Sequence, residues 1–398
     1  MEYDFTTVLD RAGHDCTAAD IIPFRDFTVD EGFSVIPMWV ADMSFPVAPP
    51  ILKAVQDRLS FPFLGYFPLS DEYYDSILRW QSRRNGVTEL KREHIGYENG
   101  VLGGVSSAVQ AFTNPGDKIL IHSPTYVGFT HTMDDLGRKI IHSELKRDEN
   151  GVWRMDYEDM DAKLKAHDIH FAVFCSPHNP CGRVWERREI EKAMEIYAAN
   201  NCIVVSDEIW SDIIMPGHKH VPTQSVSEDA RRRTIALYAP SKTFSLAGLI
   251  GSYHIVYDPY LRRRLERRGD MSHYNSCNVL SMHALTGAYS PEGEEWAEQM
   301  VSVVDKNFDY ACGFIRDNFP GVRVMRPEGT YMLFLDVSQW LREHSLTLQE
   351  LLRRGVSCGV IWQNGEAFFY PDSIRMNLAL PLSQLQEAME RLKRYAFL

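Results

Sequence analysis

Short apolar runs of strand length recur through the middle of the chain, at 95–98, 118–122, 139–144, 170–175, 202–206, 234–238 and 252–257. Between most of them lie stretches with helical spacing of apolar positions, such as 105–112 and 188–199. Strands alternating with helices predict βαβ units and a mostly parallel sheet. The runs Phe171-Ala172-Val173-Phe174 and Ile203-Val204-Val205 are apolar without alternation, as strands covered on both faces must be. After about residue 290 the pattern changes. An amphipathic stretch over 296–319 stops at Pro320-Gly321, and short strand-like runs follow at 322–325, 331–337, 360–361 and 373–380. They are interleaved with helical patterns near 346–354 and from Ser383. The expected fold is α/β. A large domain over 46–290 carries a seven-stranded, mostly parallel sheet sandwiched by helices. A small α+β domain covers 291–398, and the segment 1–45 packs on it.

Composition narrows the function classes. With 398 residues and 44% hydrophobic content, the chain can bury a sizeable core. Its net charge of −12 argues against nucleic acid or an anionic membrane as the main partner, since both select basic faces. The basic stretch 262–268 is interrupted by Glu266 and reads as a solvated helix face. No apolar run approaches 18 residues, and the first residues are acidic with no apolar stretch of signal-peptide type. The seven cysteines include no C-x-x-C pair. That spacing suits a reduced, cytoplasmic protein rather than a disulfide framework or a zinc site.

In open α/β sheets, ligands bind beyond the carboxyl ends of the strands. Here those ends carry Asn99-Gly100-Val101-Leu102-Gly103-Gly104, then Ser123-Pro124-Thr125-Tyr126, Ser176-Pro177-His178-Asn179-Pro180, Asp207-Glu208 and Ser241-Lys242. Together they supply what pyridoxal phosphate needs. Lys242, at the end of a buried strand, can form the Schiff base, because burial disfavours the ammonium. Asp207 can pair with the pyridine nitrogen, or it can simply cap a helix. Asn179 can donate to the phenolic oxygen, or serve an Asn-Pro turn. Tyr126 can stack on the ring or fill the core. The glycine-rich stretch 100–104 reads as a loop opening a helix at Val105, with backbone amides of Gly100, Val101 and Leu102 free to cradle a phosphate. Neither G-x-x-x-x-G-K-[ST] nor G-x-G-x-x-G occurs, which disfavours nucleotide readings.

These motifs resemble the fold-type I pyridoxal-phosphate enzymes of the class I/II aminotransferase superfamily, and within it the MalY/PatB type of cystathionine β-lyase. The resemblance spans nearly the whole chain. It is carried by Pro37-Met38-Trp39-Val40-Ala41-Asp42-Met43, Asn179-Pro180 with Gly182-Arg183-Val184-Trp185, Ser206-Asp207-Glu208-Ile209, Ala239-Pro240-Ser241-Lys242-Thr243-Phe244 and Pro327-Glu328-Gly329-Thr330-Tyr331. It implies that Arg375 grips the substrate α-carboxylate, with Val40 and Asn179 also lining the substrate. It implies too that Ser241 helps hold the phosphate and that Tyr66 reaches the phosphate of a neighbouring subunit in a homodimer. Two positions depart from the wider pattern. Many aminotransferases place a phosphate-binding arginine eight residues after the lysine, where this chain has Ile250. Three residues after the aspartate, Trp210 stands where Tyr or His is usual. The resemblance implies a carbon–sulfur β-lyase that cleaves cystathionine or cysteine S-conjugates to thiol, pyruvate and ammonia; the alternative is an aminotransferase of an L-amino acid.

Overall fold

The computed structural model describes residues 2–273 and 275–398. The chain divides into two compact units. One comprises Met1–Pro46, Pro180–Gly182 and Glu298–Leu398; the other comprises Val47–Asn179 and Arg183–Ala297.

The larger unit is built on seven strands: β1 (Ile95–Glu98), β2 (Lys118–Ser123), β3 (Lys139–Glu144), β4 (Phe171–Cys175), β5 (Ile203–Asp207), β6 (Thr234–Tyr238) and β7 (Ser252–Ile255). Their spatial order is β1-β7-β6-β5-β4-β2-β3. The run β6-β5-β4-β2-β3 is parallel, and β7 is antiparallel to both its neighbours. Six strands therefore point one way, so the carboxyl ends of β1, β2, β4, β5 and β6 share one edge. Every residue of β4 and β6 is buried, which accounts for the apolar runs Phe171–Cys175 and Ile235–Tyr238.

Helices cover the sheet because each has one apolar face. Helix Asp71–Asn85 starts at Ser70, whose side chain accepts the Tyr73 N–H. It carries Asp71 and Glu72 in its first turn, and it stops at Gly86 in the left-handed region (φ 68°). Its buried face includes Tyr73, Ile77 and Trp80. Helix Val101–Phe112 packs Val101, Val105, Ala108 and Val109 into the same core as Val205, Ile235 and Leu237 of the sheet.

One sequence expectation is corrected here. The stretch 100–104 is not a loop before a helix at Val105: the helix starts at Val101, and Gly103 and Gly104 lie inside it. Close packing is the reason. A Cβ on Gly104 would sit 2.7 Å from Cδ2 of Leu237, so glycine lets the first helical turn lie directly on β6. The strands also run slightly differently from the apolar patterns: Ser123 and Asp207 extend their ladders by one polar residue.

The smaller unit has a four-stranded antiparallel sheet of β8 (Arg323–Val324), β9 (Met332–Asp336), β10 (Gln363–Asn364) and β11 (Ser373–Asn377), in the order β8-β9-β11-β10. A parallel pair, Ile36–Pro37 with Val360–Ile361, joins the N-terminal segment to it. Among the described residues, no helix is long and apolar enough to cross a membrane. All seven cysteines are free thiols.

Candidate active site

In the larger unit the sheet order sets the candidate residues side by side. β5 ends at Asp207; its neighbour β4 leads into the Asn179 loop, and its other neighbour β6 leads into Ser241-Lys242. Adjacent strands lie about 5 Å apart, so these three loops begin within one cofactor's width. The ladder continues past the strand ends. Ser176 N–H donates to Asp207 O (2.9 Å), and Glu208 N–H donates to Leu237 O (2.9 Å).

Asp207 and Asn179 are buried, Trp210 is 2% exposed, and Ser241 and Lys242 are half-buried. The Lys242 Nζ stands over the indole of Trp210, 5.9 Å from the ring centroid. Burial drives the Asp207 carboxyl from 3.8 up to about 7; the Ile209 N–H and the charge of Lys242 oppose that rise, and Glu208 adds to it. A buried carboxylate raised this far is better matched by a cationic partner than by its present surroundings. A protonated ring nitrogen would be such a partner.

Glu208 faces away from Asp207 and anchors the segment. It is fully buried and accepts from Ser206 Oγ (2.9 Å), Thr223 N–H (3.0 Å) and Tyr238 O–H (2.6 Å), with His220 Nε2 at 2.8 Å. Besides the backbone ladder, one satisfied carboxylate thus ties the ends of β5 and β6 together at the site.

Gly100 precedes helix Val101–Phe112 with φ 79°, a conformation that glycine adopts without strain. The Gly100 N–H is not free as the sequence suggested, because it turns back onto Glu98 O (3.0 Å); the first amides of the helix beyond it have no intrahelical acceptor, and the helix dipole favours an anion there. The Cγ2 of Ile250 lies 3.9 Å from where a Gly100 Cβ would stand. The position that Ile250 occupies therefore borders the anion cradle with a methyl group in place of a cation. Tyr126 is half-buried, precedes helix Val127–Asp135 and meets Phe129 edge-on at 5.5 Å. Tyr66 is fully exposed, in a segment where Phe61, Phe63 and Leu64 are exposed too.

The amine of Lys242, the carboxyl of Asp207, the amide of Asn179 and the glycine-led helix start fit pyridoxal phosphate in kind and in placement. The smaller unit holds the other candidates. Arg375 is 3% exposed in β11. Its Nη2 donates to Trp39 O (3.1 Å) and to Gln363 Oε1, and its guanidinium lies 4.7 Å from the Phe368 ring. Asn377 Nδ2 donates to Val40 O (2.7 Å), so the strand that carries Arg375 also fixes Val40.

Sequence reasoning missed Asp212. It is 4% exposed and bonds to the residue after Lys242. The available signal was a carboxylate inside the mostly apolar stretch Ile209-Trp210-Ser211-Asp212-Ile213-Ile214-Met215.

The model of the family "Aminotransferase class I and II" matches residues 35–392. Cystathionine beta-lyase PatB of Bacillus subtilis is 33% identical over 362 residues, covering 90% of this chain and 92% of PatB. A PLP-bound putative aminotransferase from Clostridium difficile is 34% identical, with a TM-score of 0.90 and coverage of 98% of this chain and 99% of that one. Cystalysin from Treponema denticola, which contains pyridoxal 5'-phosphate, is 30% identical, with a TM-score of 0.91 and coverage of 99% and 98%. With a family match over almost all its length and a third of its aligned residues shared with PatB, this chain belongs to the class I and II aminotransferase family.

Proposed function

We propose that the protein is a pyridoxal-phosphate-dependent carbon–sulfur β-lyase that cleaves cystathionine or cysteine S-conjugates to a thiol, pyruvate and ammonia. The observation that carries the reading is Lys242 beside buried Asp207 at adjacent strand ends, in a chain similar over 90% of its length to PatB and over 99% to cystalysin.

Bound pyridoxal phosphate supplies an electron sink that makes the substrate Cα proton removable and the Cβ–sulfur bond breakable. The chain's residues do the rest. Asp207, as an anion, holds a proton on the ring nitrogen; burial strengthens that pairing. Asn179 donates to the phenolic oxygen, and Tyr126 covers the ring face. Val101 and Leu102 offer backbone amides to the phosphate, with Ser241 adding a hydroxyl; the Gly100 N–H is already given to Glu98 O (3.0 Å). Lys242 Nζ would anchor the cofactor and, as a neutral amine, would take the substrate Cα proton. The aromatic face of Trp210 under Nζ offers the resulting ammonium a cation–π contact. Arg375 pairs with the substrate α-carboxylate through its planar fork, and Val40 borders the substrate.

The working unit in this reading is a cytoplasmic homodimer. Its support is the exposed apolar segment of Phe61, Phe63, Leu64 and Tyr66, together with a chain of seven free thiols. Tyr66 would reach the partner's phosphate.

An aminotransferase is the second reading, favoured by the Clostridium difficile neighbour's description. Incubating the purified, cofactor-loaded protein with cystathionine or an S-alkyl cysteine separates the two. A lyase releases pyruvate and thiol in equal amounts without an oxo acid. Release of neither, with or without an oxo acid, refutes the lyase reading.

A further inference from the structure

The loop that carries Lys242 is secured from behind. Phe244 N–H bonds to Pro240 O (2.9 Å) and Leu246 N–H to Ser241 O (3.0 Å), which closes a tight turn around the lysine. Thr243, the next residue, is fully buried and donates its hydroxyl to Asp212 Oδ2 at 2.9 Å. The other carboxylate oxygen of Asp212 accepts the Trp80 indole N–H at 3.0 Å. Arg84 approaches the same oxygen at 3.8 Å and donates to the Asp212 main-chain oxygen at 3.1 Å. Trp80 and Arg84 both belong to helix Asp71–Asn85, so one carboxylate joins that helix, the segment after β5 and the lysine turn.

A buried carboxylate with this many partners is expensive to keep, and an apolar side chain could fill the space. Its partners show what it secures. The segment 207–212 already carries Asp207 and Trp210, the two side chains that face Lys242. Asp212 closes the loop by bonding to the residue next to Lys242. The separation of Lys242 from Asp207 and Trp210 is thereby fixed from both ends.

We propose that Asp212 is a positioning residue for Lys242, acting through the Thr243 hydroxyl. The proposal rests on the cofactor assignment above. A catalytic amine displaced by about 1 Å loses up to roughly a hundredfold in rate. Freed from Asp212, Lys242 drifts from the anionic Asp207, and its protonated form is stabilised less.

The test uses purified holoprotein as Asp212→Asn, Thr243→Val and Thr243→Ser. The readouts are kcat, KM, cofactor content, and the pH midpoint of the visible absorbance band of the cofactor on Lys242. Asp212→Asn and Thr243→Val should lower kcat at least about tenfold with KM within about twofold. They should also move the band midpoint down by about half a pH unit or more. Thr243→Ser keeps the hydroxyl and should stay close to wild type. The proposal is overturned if the midpoint and the kcat per bound cofactor are unchanged in Thr243→Val, or if Thr243→Ser is as impaired as Thr243→Val. Loss of thermal stability alone, with both quantities intact, would mean a purely structural bond and would also overturn it. If Asp212→Asn does not fold, the threonine pair decides. A wild type lacking the band would sink the cofactor assignment and this proposal together; a wild-type band with unaltered variants sinks this proposal alone.

Discussion

Replacing Asp207 by Asn should stabilise the cofactor-free protein while abolishing its catalysis. Burial holds the Asp207 carboxyl at about 7 against an ordinary 3.8. The folded state therefore binds a proton between these values that the unfolded chain does not, so stability falls as pH rises through the window. The linkage integral puts the penalty at about 1.7 kcal/mol at pH 5 and about 4 kcal/mol at pH 8. Asparagine cannot ionise, so it escapes the penalty at every pH. For a chain of this size, about 4 kcal/mol corresponds to roughly 5 °C in Tm. The assay is thermal unfolding of cofactor-free wild type and Asp207→Asn at pH 5 and pH 8. The variant's advantage should widen with pH by about 2.5 kcal/mol. Added pyridoxal phosphate should stabilise wild type more than the variant, because only the carboxylate can answer a ring cation. A variant whose advantage is the same at both pH values would refute the reasoning, since the penalty would not then come from ionising Asp207.

Three further outcomes follow from the same geometry. Lys242→Ala should lose at least about 10⁴-fold in rate and the lysine-linked absorbance band, checked by a pyruvate assay and a spectrum; a retained band would remove Lys242 from its role. Gly104→Ala should cost about 1–3 kcal/mol in denaturant unfolding, because its Cβ would press on Leu237 at 2.7 Å; an unchanged midpoint would mean that helix Val101–Phe112 does not lie against β6 as described. Arg375→Lys should raise KM about tenfold or more while lowering kcat less, read from initial rates; an unaltered KM would mean that Arg375 does not bind the carboxylate.

Much of the fold is legible in the sequence because strands buried on both faces cannot alternate. Phe171–Cys175 is apolar throughout, Thr234–Tyr238 is apolar after its first residue, and both coincide with the sheet's interior. The pattern stops short where a ladder ends in a polar residue, as at Asp207, because hydrophobicity and hydrogen bonding end at different places. The start of helix Val101–Phe112 was not legible: paired glycines read as a breaker, yet close approach to Leu237 outweighs their poor propensity. The alternation of strands and helices made the mostly parallel sheet legible, but not the one reversed strand: β7 runs against its neighbours. At the site, residues just past a strand could be read one by one. Asp212 could not, because its meaning depends on Trp80, 132 positions away.

The central claim, elimination rather than amino transfer, is tested most directly by a single-turnover experiment. The cofactor-loaded protein is mixed with a substoichiometric cysteine S-conjugate and no oxo acid, while the cofactor spectrum and pyruvate are followed together. Elimination predicts one pyruvate per substrate and a spectrum that returns to its starting form. Accumulation of the cofactor's amine form, with no pyruvate, would contradict it.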